Sequence, residues 1–163
     1  MLKWQTILDA RAPRATILVR LMVGAVFVSE GVQKFLFPEQ LGAGRFESIG
    51  FAQPHLLAPF VGSFEIGCGT LVLLGLATRL AVLPLIAIML TAIVTTKLPI
   101  LLGGALGPFH VPALKSSGFW AMAHEARTDW SMLLGSLFLC LAGSGRWSVD
   151  AGLARHHPPS SSL

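Results

Sequence analysis

Phe60-Val61-Gly62-Ser63-Phe64-Glu65-Ile66-Gly67-Cys68-Gly69-Thr70-Leu71-Val72-Leu73-Leu74-Gly75-Leu76-Ala77-Thr78-Arg79 is an apolar run long enough to cross a bilayer, and it carries one carboxylate among glycines. A hydrocarbon core about 30 Å thick takes roughly 20 residues of helix. A charge near its centre costs at least about 2.5–3.5 kcal/mol on insertion scales, so Glu65 is expected to face other helices and to have a partner or a proton. The rest of the chain must supply those helices.

Of the 163 residues, 53% are hydrophobic and 12% charged, against about 25% charged in soluble domains. With a mean hydropathy of +0.70, the chain reads as an integral membrane protein. The expected fold is all-α: a single four-span domain over 1–163, an antiparallel up-down four-helix bundle with spans at about 15–35, 55–76, 80–102 and 128–142. The net charge of +4 comes from basic residues scattered singly at the ends of apolar runs. That pattern serves membrane topology and argues against nucleic acid as a partner. Cys68 and Cys140 have no Cys-x-x-Cys companion, so they imply neither a disulfide framework nor a zinc site. Both read as small apolar core residues, at matching depths on parallel helices.

Met1 to Arg14 reads as a short basic segment before the first span and not as a cleaved leader, because Arg20 interrupts the apolar region and no small-x-small site follows. Arg20, Gly24, Phe27, Gly31 and Lys34 recur at steps of four and three, which places them on one inward stripe. Glu30 stands one turn before Lys34, where an ion pair can form. Pro38 to Pro59 reads as a loop with a short interfacial helix at Ala43–Ile49. In the second span, Ser63 and Gly67 are spaced for close helix packing beside Glu65. The turn at Ala77-Thr78-Arg79 is short enough to return the third span antiparallel to the second. Gly103 to Arg127 is Gly/Pro-rich and reads as the longer interfacial loop, anchored by Trp120. The fourth span is expected to be capped by Thr128 or Asp129, with Thr128, Ser131, Gly135, Phe138 and Ala142 as its packing seam. Gly143 to Asp150 reads as an interfacial exit, and 156–163 as a disordered tail.

Three phrases, taken in succession, resemble the DoxX family of small four-helix membrane proteins. They are Arg20-x-x-x-Gly24 running on to Gly31-x-x-Lys34-Phe35; Glu65-x-Gly67-x-Gly69 running on to Leu74-Gly75-Leu76-Ala77-Thr78-Arg79; and Gly143-x-Gly145-Arg146-Trp147-Ser148-x-Asp150. Arg20, Lys34, Glu65, Arg79 and Asp150 match the polar pattern of that family. The resemblance implies a four-helix fold and a role beside redox or maturation partners, as in membrane subunits of thiosulfate:quinone oxidoreductases, but no set of catalytic residues.

The polar residues fall into two groups. Arg20 and Glu65, entering from opposite ends of neighbouring helices, are expected to pair across the bundle. Glu30, Lys34, Lys97, His124, Glu125, Arg127 and Asp129 gather at the far ends of the first, third and fourth spans. Snorkelling at the interface explains most of that second group. What it leaves is a polar mouth above an apolar bundle, suited to a quinone head group or an anionic sulfur compound. A metal site from His110, His124, Glu125 and Asp129 lacks the His-x-x-x-His or Glu-x-x-His spacing of helical ligands. The candidate ligand-binding residues are therefore Arg20, Glu30, Lys34, Glu65, Lys97, His124, Glu125 and Asp129. With no flavin, haem or iron–sulfur motif in the chain, electrons would come from a partner protein. A non-catalytic assembly or stabilising factor is the alternative. Lys and Arg divide six to five in favour of both termini being cytoplasmic in a plasma membrane.

Overall fold

The computed structural model describes residues 12–112 and 114–156. Lys3 and Arg11, counted in the charge vote, and the expected tail from 157 onward lie outside the described residues. The chain is mostly helical. Among the described residues, three helices are long and apolar enough to cross a bilayer: α1 (Thr16–Leu36), α3 (Pro54–Leu74) and α4 (Thr78–Leu101). A short α2 (Ala43–Ile49) forms where the loop reading puts it. The glycine-rich stretch after α4 is more ordered than a loop, with a two-residue hairpin, β1 (Ala105–Leu106) paired to β2 (Phe109–His110), and then α5 (Phe119–Glu125). A fourth long helix, α6 (Arg127–Ala142), is packed on α4 and α1, and α7 (Val149–His156) ends the described chain. α6 is 16 residues long, about 24 Å at 1.5 Å per residue.

Glycine sets how closely α1 and α3 approach. A Cβ added at Gly24 would come within 2.8 Å of the Gly69 carbonyl oxygen, and one at Gly31 within 2.7 Å of the Gly62 carbonyl oxygen. Any side chain at these positions would push the two backbones apart. The expected Ser63–Gly67 packing pair is therefore corrected: a Cβ at Gly67 meets nothing within 4 Å, and both residues face outward. The inward face of α3 is instead Ala58, Gly62, Glu65, Gly69 and Val72, which recur at the helical period.

The core between α1, α3, α4 and α6 is built on Val23, Phe27, Val72, Val82, Leu85 and Leu139, with Cys68 and Cys140 packed at its edge. On α6 the seam is also not the expected one. Met132, Leu133, Gly135, Ser136 and Leu139 are buried, whereas Ser131 and Phe138 are exposed. The helix starts at Arg127 with Ala126 as its cap residue, so Asp129 lies in its first turn without capping it. Large apolar side chains such as Leu18, Phe60, Leu83 and Leu141 point away from the core, as lipid-facing residues do when lipid replaces water as the solvent.

α4 is not uniformly α-helical. Ile93–Lys97 is a π-helical turn, followed by one more α-turn, Leu98–Leu101. Pro99 supplies a cause, because it has no N–H for the carbonyl four residues back and its ring crowds that carbonyl. Widening the preceding turn relieves the clash, and such turns are frequent at functional sites.

Candidate functional site

The charged residues fall at two opposite ends of the molecule. At the first end Arg20, 2% exposed, does not meet a carboxylate. Its Nε donates to the Val72 carbonyl at 2.9 Å and its Nη2 to the Leu73 carbonyl at 2.5 Å. Its Nη1 donates to the carbonyls of Ser144 at 3.2 Å and Trp147 at 2.5 Å. Val72 and Leu73 belong to the last turn of α3, whose carbonyls lack the usual partner four residues on; that of Val72 also accepts from the Gly75 N–H at 3.1 Å. Arg20 thus caps the negative end of α3 from a neighbouring helix.

Asp150 does the converse for α4. Its Oδ1 accepts from the Ala77 N–H at 2.8 Å and its Oδ2 from the Thr78 N–H at 3.4 Å, while its own N–H donates to the Gly75 carbonyl at 3.0 Å. The turn between α3 and α4 is therefore held at both ends by side chains remote in sequence. Gly75 has φ 68°, and a Cβ there would lie 2.6 Å from the Arg20 guanidinium carbon. The expected interfacial exit at 143–150 is corrected accordingly: Gly143, Ser144, Gly145 and Asp150 are buried and wrap this clamp. Ser148 Oγ accepts from the Ala151 N–H at 3.1 Å and so caps α7.

Glu65, 3% exposed, pairs with Lys34, whose Nζ lies 2.7 Å from Glu65 Oε2. The expected Arg20–Glu65 pair is overturned, and the glycine contacts give the reason. They set Arg20 opposite Leu73 and Glu65 opposite Val28, an axial offset of about 12 Å at 1.5 Å per residue. Side chains on a helix lean toward its N-terminus. On antiparallel helices Arg20 and Glu65 therefore lean apart, whereas Lys34 and Glu65 lean together. The expected Glu30–Lys34 ion pair is replaced as well, since Lys34 Nζ donates to the Glu30 backbone carbonyl at 3.4 Å.

Lys34 and Glu65 line a cavity of about 580 Å³ at this second end. Its other charged walls are Glu30, Lys97, Glu125 and Asp129, and Arg45 reaches it from α2. Lys97 Nζ stands 3.4 Å from Asp129 Oδ2. Apolar walls come from Phe27, Val61, Ile88, Met89 and Met132, and a roof from Phe46, Ile49 and Phe51. The Phe51 ring lies 5.1 Å from both Phe46 and Phe109, which ties α2 to the hairpin.

Of the residues expected to form one site, the cavity brings together Glu30, Lys34, Glu65, Lys97, Glu125 and Asp129. Arg20 belongs to the clamp. His124 is exposed and is not in the cavity wall, its backbone carbonyl accepting from Arg127. Among the described residues, no three of His, Cys, Asp and Glu gather as a metal site. Sequence reasoning missed Thr91, Thr95 and Thr96, which also line the cavity. Their signal was the hydroxyl-rich Thr-x-x-x-Thr-Thr-Lys run ahead of Pro99 in an otherwise apolar helix.

The chain is 53% identical, over 153 residues, to a curated protein of Mycobacterium tuberculosis named as uncharacterized membrane protein Rv3486; the match covers 93% of this chain and 89% of the relative. No solved structure matches it. The DoxX family model matches residues 15–98, which take in α1, α2, α3 and the π-helical turn with Lys97. The chain is an integral membrane protein and belongs to the DoxX family.

Proposed function

We propose that the protein is a redox-associated membrane subunit that holds a hydrophobic ligand with a polar head, of the quinone class, in the cavity between its helices, and takes electrons from a partner protein. The observation that carries this reading is the cavity itself. At about 580 Å³ it falls within the usual size of small-molecule sites, and it pairs apolar walls with a few convergent polar groups. The ion pairs Lys34–Glu65 and Lys97–Asp129 stand on facing helices, where a head group can reach both. Titrating the detergent-solubilised protein with a short-chain benzoquinone and following tryptophan quenching tests the reading. Saturable binding is expected, with an affinity shifted in Glu65→Gln because that change releases Lys34 from its partner. No saturable quenching in either protein would leave a non-catalytic assembly factor as the better account.

The same reading places α1, α3, α4 and α6 as four antiparallel spans of the plasma membrane, with both termini in the cytoplasm and the cavity toward the outer face. The support for this orientation is the six-to-five division of Lys and Arg read from the sequence, in keeping with basic residues inside. A reporter fused after Leu163 checks it: a fluorescent protein inactive in the periplasm is expected to glow there, and an export-dependent phosphatase to stay silent. The reverse pattern would invert the orientation.

A further inference from the structure

We propose that the cavity selects the reduced form of its ligand, a hydroquinone-like diol on an apolar body, over the corresponding quinone. The inference rests on the quinone-class reading above and deepens it. Three of the lining hydroxyls have already given their protons away. Thr91 Oγ1 donates to the Ala87 carbonyl at 2.9 Å, Thr95 Oγ1 to Thr91 at 2.8 Å and Thr96 Oγ1 to Ala92 at 2.6 Å. A hydroxyl has one proton and two lone pairs, so each of these presents only acceptor capacity to a ligand. The fourth lining threonine, Thr128, lies at the exposed start of α6.

The charged groups tilt the same way. Four carboxylates, Glu30, Glu65, Glu125 and Asp129, line the cavity against three cations, Lys34, Arg45 and Lys97. Both lysines are engaged by carboxylates, and Lys34 spends a further hydrogen on the Glu30 carbonyl. Arg45 sits on the exposed side of α2. The wall therefore spreads acceptors over four carboxylates and three threonine oxygens, while its remaining donors are confined to Lys34, Lys97 and Arg45. A quinone carbonyl, which only accepts, can be met only by the N–H groups that Lys34, Lys97 and Arg45 have left. A phenolic hydroxyl donates to a threonine oxygen or a carboxylate and leaves the ion pairs intact. Sites built to hydrogen-bond a hydroxyl discriminate strongly against analogues lacking it, because buried polar groups are then left unpaired.

The test compares a decyl-benzoquinone with its quinol, kept reduced under anaerobic conditions, on the full-length protein in detergent. The quinol is expected to bind about tenfold tighter. Thr95→Val and Thr96→Val, close in shape to threonine but without the oxygen, are each expected to weaken quinol binding roughly three- to tenfold and so to narrow the quinol-to-quinone preference. Thr96→Ser, which keeps the oxygen, should retain the preference and serves as the second variant if a valine protein fails to fold. Equal or tighter binding of the quinone overturns the selectivity and leaves the quinone-class reading standing. Absence of binding by both forms overturns the two together. A decylammonium ion that outcompetes the quinol would assign the surplus carboxylates to a cation and also overturn the proposal.

Discussion

Arg20→Leu is expected to lower thermal stability in detergent by on the order of 10 °C. The carbonyls of Leu73, Ser144 and Trp147 lose the Arg20 donor at once, and that of Val72 keeps only the Gly75 N–H. Each buried acceptor left unsatisfied costs about 1–3 kcal/mol, so the total is at least about 3 kcal/mol. In a chain of this size a kilocalorie corresponds to a few degrees. Arg20→Lys is expected to recover little, because an ammonium on a flexible stem cannot reproduce the planar fork that reaches four oxygens on two segments. Combined with Glu65→Leu, the loss should be additive within about 0.5 kcal/mol, as for sites that share no partner. A coupling well above that value in a thermal-melt double-mutant cycle would show that the two charges sense each other after all.

Lys34 and Glu65 are expected to behave in the opposite, strongly coupled way. Lys34→Met leaves a carboxylate at 3% exposure with no cation at 2.7 Å. Removing one partner of a buried pair typically costs about 3–5 kcal/mol. Lys34→Met/Glu65→Leu should regain most of that loss, since replacing both charges by apolar groups is often neutral. Glu65→Leu alone should cost less than Lys34→Met, because Lys34 lies nearer its helix end, retains the Glu30 carbonyl and can extend toward the interface. Melting temperatures of the four proteins check the order. Equal losses for the two single variants, with no recovery in the double, would count against the pair.

How far the sequence could be read depended on whether a signal was local. Helix positions came from apolar runs and prolines, both local properties, so α1, α2 and α3 fall within two residues of their expected ends. The inward stripe of α1 was legible for the same reason, and Arg20, Gly24, Phe27 and Gly31 are all buried. The pairing of charges was not legible, because it depends on how α1 slides along α3. That register is fixed by two glycine contacts, whose partners no periodicity identifies. Ser63 and Gly67 match the small-xxx-small spacing while Gly62 and Gly69, seven apart, do not, and which pair faces inward is a matter of helix rotation. The region 143–150 misled for a related reason. Its glycines and serines resemble a solvated exit, and only the fold brings Arg20 and the α3–α4 turn against them.

The π-helical turn at Ile93–Lys97 has a consequence for how the chain encodes its charges. An extra residue in one turn shifts the phase of everything that follows by about 100° relative to an unbroken α-helix. Lys97 therefore faces Asp129 at 3.4 Å by virtue of a phase slip imposed two positions later by Pro99, whose only chemistry is a missing hydrogen and a ring. The aim of the cation is spelled in the proline. Two chains with identical charged residues, one with Pro99 and one without, would carry the same charges yet point this lysine in different directions.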